Sequence, residues 1–264
     1  MIGVVSAIGR EVSDFLDQGS FEVSDVKDGV RFFESSQMSD VVLVEGGMGR
    51  EKAELATRLL IDERSPNLIV SAGFAGAVRP GARPGDLFIC NQLWALPGPA
   101  TFWTEEGAKN RTLIDDKLMK RLTKNIESVA GGCTWGSCLT VDQFVYNHDL
   151  KGWIGDTFSV DVIDMESFWV SDVAAEHGLP HLVVRTVLDP MEQRLPPFVS
   201  EAASDEKART LLKGAAHIAR HPGDLRKLIA LSGQVRRASA QLATALSAVV
   251  TTDSWTPAYQ LGTA

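Results

Sequence analysis

The sequence predicts an α/β protein, a sheet covered on both faces by helices. Two observations carry that prediction. Short apolar runs rich in Val and Ile alternate with stretches of helical periodicity, and no internal repeat or low-complexity linker divides the chain. At 264 residues, one large domain can bury a sizeable core without disulfides.

The first candidate strand, "IGVVSA" (2–7), leads into a charged helix with Glu11 in its first turn. "FEVSDV" (21–26), "VRFFES" (30–35) and "DVVLVEG" (40–46) read as the next strands. In the helix "REKAELATRLLIDER", Ala53, Ala56, Leu59 and Leu60 share one face, and Glu51, Lys52, Glu54, Arg58 and Glu63 occupy the remainder. "NLIVSAG" (67–73), "DLFICNQLW" (86–94), "TWGSCLTV" (134–141), "VDVIDM" (160–165) and "HLVVRTVL" (181–188) follow, more strands than a simple five-stranded sheet holds. Between the last two, "SFWVSDVAAEHG" is a helix stopped by Gly178 with Pro180 just beyond. Residues 95–115 form the longest stretch without a period, which marks a functional loop.

From about 205 the pattern is helical only. "DEKARTLLKGAAHIARH" keeps Ala208, Leu211, Leu212, Ala215 and Ala219 in register, and Pro222 opens a second helix carrying Leu225, Leu228, Ile229 and Ser232. The partition is one domain over 1–204, helices packed on it over 205–250, and a loose tail over 251–264.

Charge narrows the partners. With 26 basic and 34 acidic residues the net charge is -8, which argues against nucleic acid or an anionic membrane and suits a neutral or cationic small molecule. Cys90, Cys133 and Cys138 lack zinc-site spacing and read as reduced thiols. The opening residues carry no basic n-region, and no stretch reaches the roughly 18 apolar residues of a membrane span. A cytoplasmic protein is expected.

The acids pose the functional question. Glu11, Glu166 and Asp189 all fall at C-terminal ends of candidate strands, where open α/β sheets bind ligands. Glu11 also suits the helix macrodipole, a purely structural account. Two glycine-rich turns, "EGGMGRE" (45–51) and "SAGFAGAVRPGARPGD" (71–86), follow strands; they serve turn geometry or close approach of a ligand to the backbone. Neither has the G-x-G-x-x-G pattern, which excludes a nicotinamide-dependent oxidoreductase.

In order, "IGVVSAIGREV", "GGMGREKAELATRLLI", "LIVSAGFAGAVRPGARPGDLFI", "VDQFV" and "VIDMESFWVSDVAAEHGLPHLVVRTVLD" resemble the nucleoside phosphorylase and nucleosidase superfamily, above all its methylthioadenosine/S-adenosylhomocysteine nucleosidase branch. The resemblance covers residues 2–200 and is most specific in "MES" and "RTVLD". It implies a central mixed, partly barrel-like sheet flanked by helices. It also implies cleavage of the N-glycosidic bond of a purine nucleoside with a 5′-substituted ribose, with water or phosphate as acceptor.

Carried over by position, the resemblance makes Asp189 the general acid at the purine N7 and has Glu166 bind the ribose hydroxyls. Met165 packs under the sugar, Phe144 stacks on the base, and Val145 offers its backbone to the purine edge. Phe74, Ala75 and Gly76 line the substrate site, and Glu11 with Arg185 holds the attacking water. No metal or cofactor is implied, and the partners are the nucleoside and, as a homodimer, a second copy. An acid beside "VVRTVL" acquires the raised pKa that donation at neutral pH requires.

Departures qualify the match. Leu188 stands where many members have a Ser that orients the acid, and Phe74 where small or hydroxyl residues are common; both features favour an alternative, a nucleoside-binding module without turnover. A phosphate-holding "GDPxR"-like loop is not recognisable, which favours water, while Arg10 and Arg50 beside the glycine turns leave another anion site open. "DPMEQRLPPFVSEA" (189–202) and the C-terminal helices resemble hopanoid-associated phosphorylase-like proteins, implying adenosylhopane as an alternative substrate. Trp103 and Phe198 would then cover a large 5′ group, and Arg226, Lys227, Arg236 and Arg237 would meet a membrane surface; a solvated, packed helix is the plainer account.

Overall fold

The computed structural model describes residues 1–112, 124–126, 132–193 and 225–251, without the side chains of Thr112 and 225–230. In chain order the elements are β1 (Ile2–Ser6), α1 (Gly9–Gln18), β2 (Glu22–Lys27), β3 (Val30–Glu34), β4 (Val41–Glu45), α2 (Arg50–Arg64), β5 (Leu68–Ala77), β6 (Leu87–Leu96), β7 (Lys109–Thr112), β8 (Thr134–Val141), α3 (His148–Phe158), β9 (Val162–Asp164), α4 (Ser167–Glu176), β10 (His181–Asp189) and α5 (Leu225–Val250).

One mixed sheet has two parts that share β5. Its first residues, Leu68–Ser71, pair in parallel with β1, and Gly76 and Ala77 pair antiparallel with β9. Its ten-residue length makes this double use possible. On the β1 side the sheet runs on through β4, β3 and β2 as an open wing. On the other side β5, β10, β6, β8 and β9 close into a ring, parallel except at β10–β6 and β9–β5. The mixed, partly barrel-like sheet is therefore present.

The apolar runs explain the layers. Every residue of β1 is buried, as a parallel strand covered on both faces requires. One face packs Ala53, Ala56 and Leu60 of α2 with Phe168 and Trp169 of α4. The other packs Val12 and Phe15 of α1 with Leu242, Leu246 and Val249 of α5. A third cluster, with Ile154 and Phe158 of α3, Leu139 and Trp103, covers the barrel beside α3. Burying a side chain such as Phe15 contributes about 1.5–3 kcal/mol.

Two elements escape a reading by apolar period. β7 lies inside the aperiodic stretch; its sequence KNRT is polar, and it forms by pairing with β6, Arg111 opposite Leu93. α3 contains Gly152 and Gly155, poor helix formers. Gly155 is required by packing, because a Cβ there would come within 2.4 Å of the Val78 carbonyl oxygen. The helix start is secured by Asn147, whose side chain accepts from Leu150 N at 3.0 Å. The helix expected after Pro222 is α5, which packs on α1 with Ser13 Oγ 3.2 Å from Ser239 Oγ. The helix expected over 205–221, Phe198 and the tail beyond 251 lie outside the described residues.

Candidate active site

At the end of β1 the chain turns into α1, leaving the first helical N–H groups without intrahelical partners. Glu11 folds back on the residues just before the helix, including the N-cap Ile8. Its Oε2 accepts from Ser6 Oγ at 2.9 Å, Ile8 N at 3.1 Å and Ala7 N at 3.2 Å, and its Oε1 accepts from Phe74 N at 3.0 Å. The carboxylate lies directly over β5: a Cβ on Gly73 would be 3.0 Å from Oε1. Burial pushes the Glu11 carboxyl above its ordinary range, against the Phe74 hydrogen bond and the Arg185 charge.

β9 delivers the next acids. Asp164 closes the strand, and Glu166 stands at the N-cap position of α4 without a capping hydrogen bond from its side chain. Asp164 Oδ1 accepts from Thr140 Oγ1 at 2.7 Å, and Oδ2 accepts from Arg185 Nε at 2.7 Å, Ser167 N at 3.1 Å and the Ser167 hydroxyl. Arg185 also donates to Ser71 Oγ at 2.8 Å and to the Val184 carbonyl. Burial works against the guanidinium charge, but Asp164 beside it raises the Arg185 pKa overall. Glu166 Oε1 accepts from Gly49 N at 2.8 Å. Burial, then the negative charges of Asp164 and Glu11, push Glu166 up to about 8.

Asp189 is the last residue of β10, just after a register irregularity at Val187. Such irregularities re-aim side chains. Its Oδ2 accepts from the ammonium of Lys151, a fully buried residue on α3. Its Oδ1 is buried and meets no hydrogen-bond partner among the described residues. Burial raises the Asp189 pKa and Lys151 opposes the rise.

These groups border one cavity of about 220 Å³. Glu11, Glu166, Met165 and Asp189 line it, as do Phe74, Ala75, Gly76, Phe144 and Val145. Arg185 instead lines an adjoining side chamber of about 10 Å³, which shares Glu11 and Glu166 with the cavity and adds Ser6, Ser71 and Gly73. All ten residues expected from the sequence thus fall on the cavity or its chamber. Remaining lining includes Ile8, Met48, Leu188 and, from α5, Leu231 and Val235.

Other expectations fail on placement. The Arg50 guanidinium lies 4.1 Å from the Trp169 ring centroid and pairs with Glu54 at 2.8 Å, so its charge is engaged on the surface. Arg10 is exposed and borders neither space. Trp103 does not cover the cavity: it is buried in the cluster beside α3, its Nε1 donating to the Gly98 carbonyl at 2.9 Å.

Two participants were not anticipated. Asp164 stands two residues before Glu166 inside "VIDMES", and its charge could have suggested a partner for Arg185. Lys151 heads the stripe Lys151, Ile154, Gly155, Phe158; a lysine in register with an apolar face was the available signal.

A family profile described as the phosphorylase superfamily matches residues 1–221. A 5′-methylthioadenosine/S-adenosylhomocysteine nucleosidase of Staphylococcus haemolyticus is 27% identical over 200 residues, 72% of this chain and 86% of the relative. The Haemophilus influenzae protein of the same name is 27% identical over 195 residues, 71% of this chain and 85% of its own. Among solved structures, the Helicobacter pylori 5′-methylthioadenosine/S-adenosylhomocysteine nucleosidase superposes with TM-score 0.69 at 19% identity, covering 94% of this chain and 97% of that one. Helicobacter pylori futalosine hydrolase gives TM-score 0.69 at 18% identity, covering 94% and 96%. At these identities the superpositions show a shared fold.

Proposed function

The chain belongs to the phosphorylase superfamily, and we propose that it is a purine nucleosidase: it hydrolyses the N-glycosidic bond of an adenine nucleoside carrying a substituted 5′ position. The observation that carries this reading is the pairing of two unlike carboxylates on one cavity. Asp189 Oδ1 is buried with no hydrogen-bond partner among the described residues, and burial raises the Asp189 pKa, while Glu11 is a carboxylate held by four donors.

In the proposed reaction, Glu11 removes a proton from water as its oxygen bonds to C1′. The C1′–N9 bond breaks and its electron pair passes into the purine. Asp189 gives its proton to N7 and is left as a carboxylate. Burial raises the basicity of Glu11, which suits a base acting near neutrality. Glu166 holds the ribose hydroxyls, Met165 packs under the sugar, and Phe144 and Val145 meet the base. Ile8, Met48, Leu188, Leu231 and Val235 leave an apolar surround for the 5′ substituent.

Water is favoured over phosphate by charge and room. Backbone N–H groups can hold an anion, but those of Ala7 and Ile8 before α1 and of Phe74 in β5 already donate to Glu11. Asp164 already pairs with Arg185. The side chamber of about 10 Å³ matches about one water molecule. A phosphate there would face Glu11 and Glu166.

The test is adenine release from methylthioadenosine, S-adenosylhomocysteine and adenosine in phosphate-free buffer. Release, fastest from a 5′-substituted substrate, is expected. Tight binding of all three without release would instead make the protein a nucleoside-binding module. The proposed assembly is a homodimer, and a monomer by light scattering would contradict that part.

A further inference from the structure

Lys151 occupies a place that helix energetics do not explain. It lies in the first turns of α3, where the macrodipole disfavours a cation, and its side chain is fully buried. Its ammonium has three donors, and all three face one short stretch: the Asp189 carboxylate, the Asp189 carbonyl at 3.4 Å and the Pro190 carbonyl at 3.5 Å. β5 passes close beside the pair at Gly76, where a Cβ would lie 3.6 Å from Nζ and 3.7 Å from Asp189 Oδ2. Leu188, before the acid, offers no hydrogen bond to it.

We propose that Lys151 is the positioning residue of the general acid: it clamps Asp189 Oδ2 so that Oδ1 addresses the nucleoside, and its charge stabilises the carboxylate left after proton transfer. The proposal rests on the reading of Asp189 as the acid. A merely structural ion pair is the competing account, because buried pairs often contribute little net stability.

Among the described residues, Lys151 is the charged group that acts on Asp189 most directly. On α3, His148 Nδ1 is 3.0 Å from the Met191 carbonyl oxygen. Beyond β10, Glu192 is exposed and accepts from Gly81 N at 3.0 Å. From β9 and α4 come Asp164, paired with Arg185, and Glu166, bound to Gly49 N. β5 presents Ala75 and Gly76 opposite Asp189, and α5 presents Leu231 and Val235 to the cavity.

The signs of the two effects differ. Removing the ammonium leaves Asp189 protonated to higher pH but makes it a weaker, less oriented acid. The experiment measures kcat against pH for Lys151→Met with methylthioadenosine, beside Asp189→Asn. Loss of a charge-assisted hydrogen bond is expected to lower kcat about 10- to 100-fold, with KM changing less than about threefold. The alkaline limb should move up by about one pH unit or more.

A Lys151→Met enzyme with wild-type kcat and an unmoved alkaline limb, beside an inactive Asp189→Asn, would overturn the role of Lys151 alone. An Asp189→Asn enzyme as fast as wild type would overturn the acid assignment and this proposal with it. Should Lys151→Met fail to fold, Lys151→Gln keeps an amide donor without charge: it should show the same upward shift with a smaller loss of kcat. An unmoved limb there also overturns the proposal.

Discussion

The two ends of the cavity handle buried carboxylates in opposite ways. Around the side chamber, Glu11, Asp164 and Glu166 crowd near one guanidinium, and neutral donors such as Ser6, Thr140, Phe74 N and Gly49 N hold them. At Asp189 there is one carboxylate, one ammonium and one oxygen without a partner among the described residues. Burial raises Glu11, Glu166 and Asp189 alike, so burial alone cannot assign their roles. The partners differ: Glu11 is met by four donors, whereas Asp189 Oδ1 meets none among the described residues, and the proposed base and acid follow that difference.

The largest effect expected from this contrast is at the acid. Asp189→Asn should lower adenine release by about 10²- to 10⁴-fold while leaving the circular dichroism spectrum and most nucleoside binding intact. A variant that loses rate only in proportion to folded protein would remove Asp189 from the chemistry. Glu11→Gln should cost a comparable factor by removing the base. It should also lower Tm, because an amide cannot accept at both oxygens and would oppose one of the donors now bound.

Glu166→Gln sharpens the comparison through stability. The folded protein keeps this proton up to about pH 8, against an ordinary value of 4.5. Between those limits the unfolded chain has released a proton that the folded chain still binds, so stability falls as pH rises. The contribution is fully present below about 4.5 and lost through about 8. Thermal melts should show Tm falling across that window in the wild type and falling less in Glu166→Gln. Glu11 and Asp189, raised in the same direction, keep the slope from vanishing. The same variant should raise KM, as ribose recognition weakens; identical melts and kinetics would refute both roles.

What the sequence disclosed follows from how each feature is encoded. β1, β5 and β10 are near-continuous apolar runs, and the acids just beyond β1 and β9 and at the end of β10 are visible as breaks in apolarity. β7 was not legible because KNRT has no apolar alternation and exists through its pairing with β6. Lys151 was hidden for a related reason: its meaning comes from Asp189, 38 residues away, and the glycines of α3 obscured the helix that carries it. Arg50 misled in the other direction. Its position beside a glycine turn suggested an anion site, yet Trp169 and Glu54 engage it.

In the proposed reaction the donors around Glu11 serve a water-activating carboxylate rather than a phosphate. The most direct measurement is the identity of the sugar product when methylthioadenosine is turned over in phosphate buffer, read by phosphorus NMR and mass spectrometry. The account predicts free methylthioribose, formed at a rate independent of phosphate. Methylthioribose 1-phosphate, formed in proportion to phosphate, would contradict it.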